Sequence, residues 1–172
     1  ALVNILIGNQ EKLIDSELLE KIDNLKCLLE TFQASEGPFK ERIEKQIEKV
    51  LNLHHADHLQ VLQYKIDLKL EDCISLFAKY SSSEEVIQTA LKHLSKASIH
   101  SLLLDVPNET SLKIILATIN DVSELKELEK LSLNKNKKLT QNIKEKIEFL
   151  SIQQKYFFKA VQLVCHYNSY SQ

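Results

Sequence analysis

The chain has 172 residues, 44% apolar and 27% charged, with a formal net charge of −2, two Gly, two Pro and no Met or Trp. So much apolar and charged residue with so little turn chemistry specifies helix after helix, and it excludes sandwiches and barrels, which need turn residues every ~8–12 positions. Gly8 and Gly37 are isolated and neither stands in a G-x-G context, which removes the Gly-rich phosphate loops.

In chain order, the first amphipathic helix is expected from Ser16 to Phe32, where Leu18, Ile22, Leu25, Leu29 and Phe32 recur at helical spacing. Ser35-Glu36-Gly37-Pro38 ends it, and Pro38 suits the first turn of the next helix, which carries Phe39, Ile43, Ile47, Val50 and Leu51 on one face. A break around Asn52 to Asp57 precedes a further helix through Leu59, Leu62, Ile66 and Leu70. From there the pattern repeats. With residues 72–96 placed above 97–121, a shift of 25, Ile74 falls on Ile99, Phe77 on Leu102, Ala78 on Leu103, Ile87 on Leu112 and Leu94 on Ile119. A third, looser copy follows through Leu125, Leu128, Ile143 and Ile147. Ser82 with Glu85, and Asp121 with Glu124, have the capping-box spacing that satisfies orphan N–H groups at a helix start. One long helix, 139–168, closes the chain.

The expected fold is therefore all-α, with nine or ten helices in a single domain over 1–172. It comprises N-terminal helices over 1–70, helix-pair repeats over 71–149 and the closing helix. Each pair would hide its apolar face on its neighbours, as in an α-solenoid of stacked antiparallel hairpins; an irregular helical bundle is the alternative. A chain of this size buries roughly 70% of its unfolded surface without a metal or disulfide staple. Cys27, Cys73 and Cys165 are odd in number and form no C-x-x-C, the pattern of reduced thiols in a cytoplasmic setting. The densest apolar patch, Phe157 to Cys165, is broken by Lys159 and Gln162 and falls short of the ~18–20 residues of a membrane span. Ala1 to Ile7 is apolar but has no basic residues ahead of it, so it is not read as a signal peptide. The missing Met marks the chain as an expected piece of a longer protein, and the sequence sets no oligomeric state.

Candidate chemistry is sparse. His54 and His58 are spaced i,i+4 with Asp57 between them, a weak candidate set for a divalent metal. No Glu follows the first His to make H-E-x-x-H, and the cluster sits where one helix ends and another begins, so Asp57 also suits an N-cap. Adjacent Cys165 and His166 point about 100° apart on a helix and cannot act as nucleophile and base on each other. No catalytic set emerges and no cofactor is called for. Lys135, Lys137 and Lys138, with Lys144 and Lys146 beyond, form the one local excess of positive charge, suited to a phosphate backbone or an acidic partner. Arg42 is the only Arg, which is unusual for a nucleic-acid reader. Three consecutive aromatics, Tyr156, Phe157 and Phe158, span too wide an arc for one packed stripe, so at least one is expected to face outward as a partner anchor.

The stretch Leu116-Ala117-Thr118-Ile119-Asn120-Asp121-Val122-Ser123-Glu124-Leu125, an apolar helix end followed by an Asn-Asp turn and a new helix, resembles HEAT-like α-solenoids of short helix pairs. The resemblance extends over about Asp72 to Phe149 and implies a scaffold whose concave face binds protein or nucleic acid. The expected function is a non-catalytic scaffold for protein–protein interaction. The alternatives are a nucleic-acid-associated helical-repeat protein using the Lys-rich surface and, behind it, a metal-dependent enzyme at the His cluster.

Overall fold

The computed structural model describes residues 2–53 and 55–170, with side chains through residue 167 apart from His54. Among these residues the chain is all-helical: eleven α-helices, one short 3-10 turn and no strand. The helices are α1 (Leu2–Gly8), α2 (Gln10–Leu13), α3 (Leu25–Ala34), α4 (Gly37–Asn52), α5 (His58–Asp67), α6 (Glu71–Tyr80), α7 (Glu84–Leu91), α8 (Lys96–Leu104), α9 (Glu109–Ala117), α10 (Val122–Ser132) and α11 (Lys137–Tyr170). Packing groups the chain into two compact units, Ala1–Ile115 and Leu116–Gln172. The division falls inside α9, at neither of the pattern changes read from the sequence.

Unit 1 is built around α6, which packs on α4, α5, α7 and α8, while α3 packs on α1, α4 and α5. Its core draws largely on the stripes expected from spacing, with Leu28 in addition. Leu28 and Leu29 of α3, Ile43, Ile47 and Leu51 of α4, Leu62 of α5, Ile74 and Phe77 of α6 and Ile87 of α7 are all fully buried. Polar ties cross it: the buried Lys65 ammonium donates to Gln33 Oε1 at 3.3 Å, joining α5 to the last turn of α3.

One expected helix is broken. Residues 16–32 do not form a continuous helix; a 3-10 turn at Leu19–Lys21 is followed by extended backbone at Ile22 (φ −85, ψ 114). The reason lies on α4, where Gln46 Nε2 donates to the carbonyls of both Glu20 (3.1 Å) and Ile22 (2.8 Å), groups a continuing helix would have used itself. Arg42 and Lys49 of α4 both bind the Glu20 carboxylate and hold the same turn. Leu18, on the expected stripe, is exposed.

The repeat spacing has a structural counterpart. α6 and α8 begin at Glu71 and Lys96, α7 and α9 at Glu84 and Glu109, so both helices of the pair recur after 25 residues. The starts are made by side-chain caps of the expected kinds. Asn24 accepts from Cys27 N–H, Ser95 from Ser98 N–H, Asn108 from Ser111 N–H, and Asp121 from the N–H groups of Ser123 and Glu124. At α7 the cap is Ser83, which accepts from Val86 N–H, and not Ser82, one residue earlier. Glu71, at the start of α6, also serves α8: its carboxylate accepts from Ser95 N–H (2.8 Å) and Ser98 O–H (2.7 Å), bonds that hold its pKa below the ordinary carboxylate value.

The chain also ends a helix without glycine. After α5, Leu70 N–H donates to the Lys65 carbonyl and Lys69 N–H to that of Ile66, which is a Schellman closure. The left-handed residue in it is Lys69, at φ 55, where Gly is usual.

In unit 2, α10 lies along the first half of α11. Leu125 and Leu128 of α10 are fully buried, as are Leu139 and Ile143 of α11, and the hydroxyls of Ser132 and Thr140 meet at 2.8 Å inside the hairpin.

Replacing Lys69→Gly is expected to raise stability by about 0.5–1 kcal/mol, because relief of the left-handed strain exceeds the entropy that Gly adds to the unfolded chain. Phe77→Ala is expected to cost about 3–5 kcal/mol as a cavity in the centre of unit 1. Urea unfolding followed by circular dichroism reads both, and a loss of stability in Lys69→Gly would refute the strain assignment.

Candidate interaction surface

Of the groups singled out by the sequence, the aromatic helix is the one the fold leaves most open. α11 is 34 residues long, about 51 Å at 1.5 Å per residue, whereas α10 has 11 residues and spans about 16 Å. α11 starts with Asn136 accepting from Leu139 N–H (3.0 Å) and has no Gly or Pro to stop it. Its first turns are covered. Leu139, Thr140 and Ile143 are buried, Ile147 and Leu150 are half-buried, and Lys146 donates to the Leu116 carbonyl at the end of α9. Burial holds the Lys146 pKa below the ordinary lysine value.

From Ser151 onward every described side chain through Tyr167 is exposed. Tyr156 (68%), Phe157 (67%) and Phe158 (66%) all face solvent, where the sequence required only one of them to. Phe149, Ile152, Val161, Leu163, Val164 and Tyr167 are exposed with them, and the Phe157 and Phe158 rings meet edge to face at 6.4 Å between centroids. At 100° per residue these positions cover about two-thirds of the helix circumference. Lys155, Lys159, Gln162 and His166 occupy the remaining arc, and no Asp or Glu occurs after Glu148. The closing helix thus packs over its first half only, because α10 ends before it can cover the second.

The Lys-rich segment is split. Lys135, Lys137 and Lys138 lie exposed at the turn between α10 and α11. Lys144 stands 3.9 Å from the Glu129 carboxylate, and Lys146 is drawn inward, so the positive run does not continue along the helix as a free face.

Of the His cluster, the described residues His55, Asp57 and His58 stay close together. His54 lies outside the described residues. α4 ends at Asn52 and α5 begins at His58, whose side chain is buried. Asp57 occupies the N-cap position of α5 but makes no capping bond; its carboxylate turns to His55 Nδ1 at 3.4 Å, and that ring lies 5.8 Å from the His58 ring. These residues line an open groove of about 610 Å³ with Leu25, Val50, Leu53 and Tyr64. Among the described residues no group of three His, Cys, Asp or Glu side chains could hold a metal ion, and no helix is long and apolar enough to cross a membrane.

A polar clamp in unit 1 had no signal in the sequence. Lys79 Nζ bridges Glu44 Oε1 (3.2 Å) and Asp105 Oδ2 (2.6 Å), and Tyr80 O–H donates to the same Glu44 oxygen at 2.6 Å. Burial works to lower the Lys79 pKa, but the bonds to Asp105 and Tyr80 and the nearby Glu44 outweigh it and hold the ammonium above its ordinary value. Burial and the Glu44 bond push the Tyr80 phenol up to about 12. The clamp ties α4, α6 and the residue after α8 across separations of 26 to 36 residues, which no local spacing reveals.

The three thiols differ sharply. Cys27 and Cys73 are buried and Cys165 is exposed on the open half of α11. Burial raises the Cys27 pKa and takes that of Cys73 from 9.0 to about 11, so both stay protonated at neutral pH. Because the folded pKa is raised, the stability linked to Cys73 is present below the ordinary thiol range and is lost as pH rises through about 11. A thiol reagent at pH 8 is expected to label one cysteine per chain quickly, mapped to Cys165 by peptide mass, and the other two only as the chain unfolds; three equally fast thiols would contradict the buried placement. No family model, curated protein or solved structure matches the chain.

Proposed function

We propose that this protein is a non-catalytic helical scaffold for protein–protein interaction, whose docking element is the open half of α11. The observation that carries this reading is the run of exposed side chains over 151–167. Four aromatics there, Tyr156, Phe157, Phe158 and Tyr167, are 66–77% exposed and leave roughly 500 Å² of ring surface uncovered, at about 150–250 Å² per aromatic side chain. Summed around the helix, that is comparable in size to the largest apolar patch of a typical monomer, about 300–600 Å². A solvated helix of this length rich in aromatic and β-branched residues is weakly supported by its own propensity, so burial against a partner supplies what it lacks. The aromatics are also the residue types that dominate binding energy at interfaces.

The rest of the chain then serves as support. The 25-residue recurrence of helix starts from α6 to α9 supports a HEAT-like stacking of short pairs in this role. The free thiol at Cys165 supports a reducing, cytoplasmic setting. A photo-reactive benzoylphenylalanine placed at Phe157 in the living cell is expected to give covalent protein adducts, whereas the same group at Lys113, exposed on α9, gives none. Equal labelling at both positions, or none at Phe157, would overturn the docking role of α11.

A further inference from the structure

We propose that the turn between α10 and α11 docks on an anionic lipid surface. What carries this is a cluster of lysines and two exposed leucines held together at one end of the α10–α11 hairpin. From Lys130 to Lys144 the chain has five lysines and no Asp or Glu. Lys130, Lys135, Lys137 and Lys138 are all exposed. Lys144 is turned to Glu129 at 3.9 Å, but among the described residues no ion pair holds Lys130, Lys135 or Lys137. Helix stability does not account for their placement. Lys137 and Lys138 begin α11, where the helix dipole disfavours cations, whereas α6, α7 and α10 carry acidic residues in their first turns. The cluster is also fixed from both sides. The N–H groups of Lys135 and Asn136 donate to the Ser132 carbonyl at 3.0 and 2.9 Å, Asn136 accepts from Leu139 N–H, and the Ser132 and Thr140 hydroxyls meet beneath. Docking therefore requires little further ordering of the backbone.

The apolar residues among the lysines select the kind of anion. Leu131 (55%) and Leu133 (50%) stand exposed on either side of the buried Ser132. On a lipid surface such side chains enter the boundary between headgroups and acyl chains, while the lysines beside them stay at the level of the phosphates. A nucleic acid gives them nothing to do. From Lys130 to Glu148 the chain has no aromatic ring to stack on a base and no Arg to read a guanine edge. Lysine is sufficient for a lipid surface, because the attraction is to summed surface charge and needs no bidentate geometry. A polybasic patch joined to an apolar anchor is also the pairing that holds a protein reversibly at a bilayer. The cytoplasmic setting proposed above fits, since the cytoplasmic leaflet carries the anionic lipids. This site is separate from the docking half of α11. Phe157 lies nineteen residues beyond Lys138, about 28 Å along the helix, so a partner at one end leaves the other end free.

Flotation of the full chain with two kinds of vesicle tests the proposal, one of phosphatidylcholine alone and one containing about one-third phosphatidylserine. Binding is expected only to the second kind, and is expected to weaken at least tenfold between about 0.1 M and 0.5 M salt. Lys135→Gln with Lys137→Gln and Lys138→Gln is expected to cut it roughly a hundredfold, at about fivefold per lysine. Leu131→Ser with Leu133→Ser is expected to weaken it about tenfold while the salt dependence persists. Lys12→Gln with Lys45→Gln and Lys92→Gln, the same loss of charge at exposed positions of unit 1, is expected to leave it unchanged. Circular dichroism of each variant confirms that the helical body has folded. No flotation with phosphatidylserine at the lower salt overturns the proposal, as does equal binding to both kinds of vesicle. Undiminished binding by the turn-lysine variant or by the leucine variant also overturns it, as does an equal loss in the unit 1 variant. A DNA duplex that binds more tightly than the vesicles overturns it in favour of nucleic acid.

Discussion

Short amphipathic helices cannot stand alone in water, and this constraint organises the whole chain. Ten of the eleven α-helices have between 4 and 16 residues, and all but α4 fall below the length at which an isolated helix is marginal. All but α2, which buries no side chain, persist because a neighbour removes their apolar residues from water. In unit 1, α6 meets that need for four neighbours, and the fully buried Phe77, Ile74, Ile47 and Ile87 are the product. α11 is the exception. It is long, and only its first half has a neighbour of matching length within its unit.

Charge and hydrogen bonding refine what burial decides. Glu71 joins two helix starts, Lys79 gathers Glu44 and Asp105, and Gln46 captures two carbonyls of a segment that would otherwise have wound into a longer helix. These bonds are strongest where they are partly shielded from water, which is why they fix the path of the connections more than they add to net stability. Lys69 shows the opposite economy: a left-handed position is tolerated in a non-glycine residue because the closure around it satisfies two backbone donors.

Much of the helical framework was legible in the residues. The stripes through Phe39, Ile43 and Ile47, through Ile74 and Phe77, and through Leu125 and Leu128 are buried as their spacing requires. The Asp121 cap was legible too, and the α7 cap to within one residue, at Ser83 instead of Ser82, because capping depends on chain-local geometry. The break at Ile22 was not, since it is imposed by Gln46, which lies 24 residues further along. The short α1 was missed as well; it buries only Leu6 and has no periodicity long enough to read. For the candidate surface, the three adjacent aromatics gave the signal and the arc argument gave its direction. That all three, with Phe149, Leu163 and Tyr167, stand in water depends on where α10 stops.

Sequence by itself determined that the protein is helical, where most helices begin, and which face of each is apolar. Those properties follow from 3.6-residue periodicity and from caps within a few residues, and both act locally. Tertiary structure alone decided which apolar faces find cover. The apolar stripe of α11 runs from Leu139 to Val164 with one polar interruption at Gln154, yet its first part is core and its last part is surface. Nothing in its own residues marks the transition, because burial is a property of the neighbour: α10 is a third as long as the helix it covers.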